Sequence, residues 1–95
     1  MESHVEDLFQ RADLLLFKEQ SFDKAELLYR QILEREPSNI DALNSMALCL
    51  KYQSAGAKGS ELMATFNKIC AMYQEALRYD KDDVEANFNL GLLFL

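Results

Sequence analysis

Slid along itself by 44 residues, this chain meets its own pattern. Phe22-Asp23-Lys24-Ala25 falls on Phe66-Asn67-Lys68-Ile69, Tyr29 on Tyr73 and Leu33 on Leu77. Further along, Ser38 and Asp41 fall on Asp82 and Glu85, Ala42 on Ala86, Met46 on Leu90, Ala47 on Gly91 and Leu50 on Phe94. A repeat of this size cannot bury its apolar face alone, so the copies must stack and share a core with their neighbours.

The units read as helical hairpins. In the first segment Ser3 and Glu6 have capping-box spacing, and Val5, Leu8, Phe9, Ala12, Leu15 and Leu16 recur at three and four. The pattern fades at Glu19-Gln20-Ser21, and Ser21 is the expected N-cap of a second helix. That helix carries Phe22, Ala25, Leu28, Tyr29, Ile32 and Leu33 on one stripe and stops before Pro37. Ser38 with Asp41 is expected to open a third helix bearing Ala42, Leu43, Met46, Ala47, Cys49 and Leu50. Ser54-Ala55-Gly56-Ala57-Lys58-Gly59 reads as a loop. Ser60 is the expected cap of a fourth helix of about 20 residues, roughly 30 Å long at 1.5 Å per residue. Its face is Leu62, Phe66, Ile69, Tyr73, Ala76 and Leu77. After the acidic turn at 80–83, Asp82 with Glu85 is expected to cap a fifth helix reaching Leu95. With three glycines and one proline in 95 residues, few positions interrupt helix. The expectation is a single all-α domain of five helices.

These residues resemble the tetratricopeptide repeat. Leu90-Gly91-x-x-Phe94 matches its first helix; Ala25-x-x-x-Tyr29, with Pro37 twelve residues after the alanine, matches its second. The resemblance covers nearly the whole chain, as a first repeat at about 3–37, a second at about 38–81 and half of a third at 82–95. It implies antiparallel helix-turn-helix units stacked as a right-handed α-solenoid. There are departures. Asp13 stands at the usual glycine, Phe9 and Ala12 at the usual Trp and Leu, Ile69 at the small alanine and Lys81 at the closing proline. The family period is 34, and the ten extra residues here lie near 54–65. They are either a tolerated surface insertion, which costs little stability, or a second contact surface on an extended fourth helix.

Little in the sequence supports catalysis. His4 is the single histidine and sits in the first turn of an end helix, with no partner residue near it in sequence. No Gly-rich phosphate loop is present, and the acids at 80–85 lack the spacing of a calcium loop. Cys49 and Cys70, 21 residues apart, fit no zinc or redox motif and read as reduced core thiols. No enzyme, cofactor or metal is expected. Sixteen acids against ten scattered Lys and Arg, a net charge of −6, argue against nucleic acid and anionic membranes. The longest apolar runs, at 14–17 and 92–95, fall far short of the ~20 residues that span a bilayer. The acidic N-terminus has no signal-peptide core, so the cytoplasm is the expected compartment.

What the resemblance does imply is binding. In this family the first helix of each repeat lines a groove for an extended peptide or a partner's helix. Its positions here are Asp7, Gln10, Leu14, Phe17 and Lys18, then Asp41, Asn44, Leu48, Lys51 and Tyr52, then Glu85, Phe88, Asn89 and Leu92. Several of the apolar ones could equally pack against the next helix. The basic clamp with which one subfamily holds acidic chaperone tails is missing: Gln10, Leu14, Ser45, Glu85 and Asn89 stand in its places. A basic or apolar peptide is the expected ligand, and the function an adaptor or scaffold. The alternative is an assembly module. By the family pattern Leu90, Gly91 and Phe94 face the second helix of a third repeat; either the chain is part of a longer array or two copies cover each other's open ends, and both readings imply self-association of this chain, through Leu90, Phe94 and Leu95.

Overall fold

A computed structural model describes residues 2–56 and 58–93, with side chains from His4 to Gly91. Five α-helices follow one another: α1 (Glu2–Asp13), α2 (Phe22–Arg35), α3 (Ile40–Gln53), α4 (Gly59–Tyr79) and α5 (Val84–Leu93). No strand occurs among the described residues. Each helix packs on the next in the chain. Phe94 and Leu95, two of the expected self-association residues, lie outside the described residues, as do the side chains of Ser3 and Leu92.

The core forms two clusters joined through α3. In the first, Leu8, Ala12 and Leu16 meet Ala25, Tyr29 and Ile32 of α2 and Ala42, Met46 and Cys49 of α3. In the second, Leu43, Ala47 and Leu50 of α3 meet Ile69, Tyr73 and Ala76 of α4 and Ala86 of α5. Helix α3 therefore offers one stripe to each side, which is why its apolar residues come in adjacent pairs. Fully buried alanines at 12, 25, 42, 47, 76 and 86 let the helices approach closely, and Tyr29 and Tyr73, 44 residues apart, fill equivalent gaps.

The helix starts correct the sequence reading. Asn39, not Ser38, caps α3: its Oδ1 accepts the Ala42 N–H at 3.0 Å. Asp83, not Asp82, caps α5: its Oδ2 accepts the Ala86 N–H at 2.9 Å. The reason is a tight turn before each helix. The Asn39 N–H donates to Glu36 O at 3.0 Å and the Asp83 N–H to Asp80 O at 3.1 Å. Ser38 and Asp82 are consumed inside those turns, and the residue that closes each turn becomes the cap. The 44-residue offset survives the correction. At α2 and α4 no side chain caps: Ser21 precedes α2 without a capping bond, and α4 begins at Gly59, after Lys58 rather than Ser60.

The extra residues of the second unit are mostly helix. Helix α4 runs 21 residues against 14 for α2. Gly56 (φ 102°) and Gly59 (φ 64°) take the left-handed turns that reverse the chain before it. Residues 58–64 are all exposed, Leu62 and Met63 included. Leu62 was expected on the apolar face; this end of α4 stands clear of the core.

One local feature was not expected. Past Asp13 the first helix widens into a π-helical turn, Leu14–Lys18, in which the Glu19 N–H reaches back five residues to Leu14 O at 3.0 Å. Gln20, at φ 56°, then takes the left-handed position that ends it, and the Ser21 N–H closes on Leu15 O at 2.8 Å.

Candidate functional site

A cleft of about 420 Å³ crosses the first helices of the successive units. Phe9 and Asp13 line it from α1, Phe17 from the π turn, Asp41 and Ser45 from α3, and Glu85 from α5. Adjoining it at Phe17 is a smaller recess of about 200 Å³. Phe17, Phe22 and Tyr52 form its aromatic wall, with Leu16 and Gln20. Phe22 and Tyr52 stack there with ring centroids 5.1 Å apart. Phe17 is thus common to both.

The floor of the cleft is tied to the core. Tyr29, buried beneath it and edge-on to Phe9 at 6.2 Å, donates its hydroxyl to Asp13. Burial and the Asp13 carboxylate hold the phenol well above its ordinary range, while a hydrogen bond from Ser45 works the other way. The hydroxyl therefore stays a proton donor. The Asp13 carboxylate takes this bond directly before the helix widens.

Across the cleft, Asp83 does two things with one oxygen. Besides capping α5, its Oδ2 accepts from Asn44 Nδ2 at 2.8 Å. Asn44 is only 1% exposed. Its Nδ2 links α3 to the start of α5, while its buried Oδ1 has no hydrogen-bond partner among the described residues. Leu48, also expected in the groove, packs partly buried against the first cluster. Leu90 packs partly buried against the second. Asn89 is half-buried, and Asp7, Gln10, Lys18 and Lys51 are exposed but line neither cavity. Leu14 (49% exposed) in the π turn and Phe88 (64%) in α5 are open apolar surface and line neither cavity. Phe17 (63%) and Tyr52 (45%), with Asp41 and Glu85, are the expected residues that the fold brings to the two cavities.

Sequence reasoning missed Phe9, Asp13 and Ser45 as lining residues. It also missed a cleft of about 430 Å³ elsewhere, with an apolar floor of Leu43, Met46 and Leu50 between walls carrying Arg30 on α2 and Lys68 and Met72 on α4.

No family model and no curated protein matches this chain. Its chemistry is therefore read from its own side chains. The cleft presents carboxylates, a hydroxyl and aromatic faces. Among the described residues no group of three or more His, Cys, Asp or Glu side chains is arranged to hold a metal ion, and no helix is long and apolar enough to cross a membrane. Both cysteines are free and buried, and burial pushes the Cys49 thiol up to about 12, so it stays protonated and unreactive.

The acids do repel one another. Partial burial first, then the charges of Asp83 and Asp41, raise the pKa of Glu85 above its ordinary value of 4.5. Glu85 in turn helps burial push the Tyr73 hydroxyl up to about 12. A carboxyl with a raised folded-state pKa favours the fold below its ordinary value and loses that benefit as the pH rises through the raised one. Glu85→Gln is thus expected to raise Tm at pH 7, by an amount that shrinks to nothing below pH 4.5. Thermal melts of parent and variant across that range check it, and a variant melting no higher than the parent at pH 7 would refute it.

Proposed function

We propose that this chain is a protein-interaction module of the tetratricopeptide kind. In this reading two hairpin units and the first helix of a third stack as a right-handed solenoid. The cleft crossing α1, α3 and α5 takes a segment of another polypeptide. The observation that carries the reading is the lining itself. Residues from the first helix of every unit converge on one cavity, as a groove made by stacking would require. Its side chains suit recognition: aromatic rings give contact area, and carboxylates give orientation. They include no nucleophile paired with a base, so we read the cleft as a binder and not as a catalyst. Acids at Asp13, Asp41 and Glu85 would repel an acidic chaperone tail.

The test is a screen of a random-sequence peptide library against the immobilised chain, repeated with a Phe17→Ala, Tyr52→Ala double variant. Both side chains are largely exposed, so the fold should survive, which circular dichroism verifies. Peptides that bind the parent are expected to lose at least tenfold in affinity on the variant, as central aromatic contacts do. Equal binding to both proteins, or no binding to the parent, would overturn the proposal.

A further inference from the structure

Resting on that groove reading, the two cavities narrow the class of ligand. We infer that the site recognises a segment carrying a basic side chain and an apolar side chain close together, the basic one in the acidic cleft and the apolar one in the aromatic recess that shares Phe17 with it.

The first support is charge complementarity. Asp13, Asp41 and Glu85 come from three separate helices and face one cavity, and no Lys, Arg or His lines it among the described residues. Phe9 and Phe17 add ring faces on the same cavity, so a lysine or arginine entering it would meet both carboxylates and aromatic surface. The chain's net charge of −6 would also speed the approach of a basic partner. A cation would relieve the repulsion that Asp83 and Asp41 exert on Glu85. The groups that bear on Glu85 are these two acids and, from α4, Tyr73, whose buried hydroxyl stays uncharged at neutral pH.

The second support is independent of charge. The recess has no ionisable group except Tyr52, and its walls are Leu16, Phe17, Phe22 and Tyr52, with the uncharged Gln20. At about 200 Å³ it is about half the size of the acidic cleft, a volume for one apolar side chain. One residue, Phe17, lines both cavities, so the two side chains come from neighbouring positions of the ligand. Alternate residues of an extended chain point the same way and stand about 6.6 Å apart, at ~3.3 Å each, so that arrangement is the one tested.

The experiment uses defined twelve-residue peptides and fluorescence anisotropy at 50 mM salt. The parent peptide carries Lys-x-Leu in a Gly/Ser/Asn background. Control peptides replace Lys with Glu, Leu with Ser, or set the two residues side by side. The parent peptide is expected to bind, and each control to weaken at least tenfold. Asp41→Asn should reduce the preference for Lys over Glu, and Tyr52→Ala should reduce the preference for Leu over Ser. Equal binding of the Lys and Glu peptides would overturn the inference. If both then still depend on Phe17, the groove reading survives alone. If peptide binding is unchanged in Phe17→Ala, both readings fail. Binding of free arginine or spermidine as tight as that of the peptide would also overturn the inference, because the apolar recess would then be idle.

Discussion

Replacing Tyr29 with alanine is expected to lower the free energy of unfolding by about 3–5 kcal/mol, the range for deleting a large buried aromatic. The ring is fully buried in the first cluster, touches Phe9 edge-on and ends in the hydrogen bond to Asp13. Most of the cost is the cavity, because α1, α2 and α3 all pack around the ring and none can collapse into the space without disturbing the other two. A 95-residue chain at roughly 0.05–0.15 kcal/mol per residue holds about 5–14 kcal/mol in all, so this loss brings the fold near its limit. Tyr29→Phe separates the contributions. It keeps the ring and removes only the hydroxyl, and about 1 kcal/mol is expected. Urea unfolding followed by circular dichroism measures both. A cost below ~1 kcal/mol for Tyr29→Ala would mean that the ring does not hold these three helices together.

Asp83→Ala is the second large effect, at about 2–4 kcal/mol. Losing a helix cap costs about 0.5–2 kcal/mol, and leaving a buried amide without its partner about 1–3 kcal/mol. Both losses come from one oxygen, which accepts from Ala86 N at 2.9 Å and from Asn44 Nδ2 at 2.8 Å. Asn39→Ala is the natural reference. It stands 44 residues earlier, caps α3 in the same way and has no buried amide to strand; its other bond, to Glu36, is exposed. It should therefore cost only the cap. A double-mutant cycle of Asp83→Ala with Asn44→Ala isolates the second loss, since the two substitutions should cost less together than their sum. Asp82→Ala, at the position whose spacing suggested the cap, should stay within about 0.5 kcal/mol of the parent. If Asp82→Ala cost as much as Asp83→Ala, the cap assignment would be wrong.

The caps show where local reading stops. Ser38 with Asp41 and Asp82 with Glu85 have good capping spacing, but the spacing carries no information about the turn before the helix. Once Glu36 to Asn39 and Asp80 to Asp83 close tight turns, the boundary moves by one residue in both units. The first helix shows the same limit differently. A regular period places its residues well up to Asp13, after which the π turn changes the angle at which Leu14 and Phe17 leave the axis. Nothing in a 3.6-residue period anticipates five-residue bonding. At the site, Phe17, Asp41 and Glu85 were expected from the resemblance, by the spacing of its groove positions. Asn44 shares that spacing and is nonetheless buried, because the start of α5 comes down on it with Asp83.

From the amino-acid order alone come five helices, their paired stripes, the 44-residue offset and the tyrosines and alanines that fill equivalent gaps. Each of these rests on contacts within a helix or on a pattern repeated along the chain, and such patterns are written in spacing. The tertiary structure alone decided that Asp13, Asp41 and Glu85 share one cavity, that Phe17 lines both it and an aromatic recess, and that Asn44 is buried with its Nδ2 bonded to Asp83. Those facts depend on how far separate helices approach one another, which is set by packing across the core.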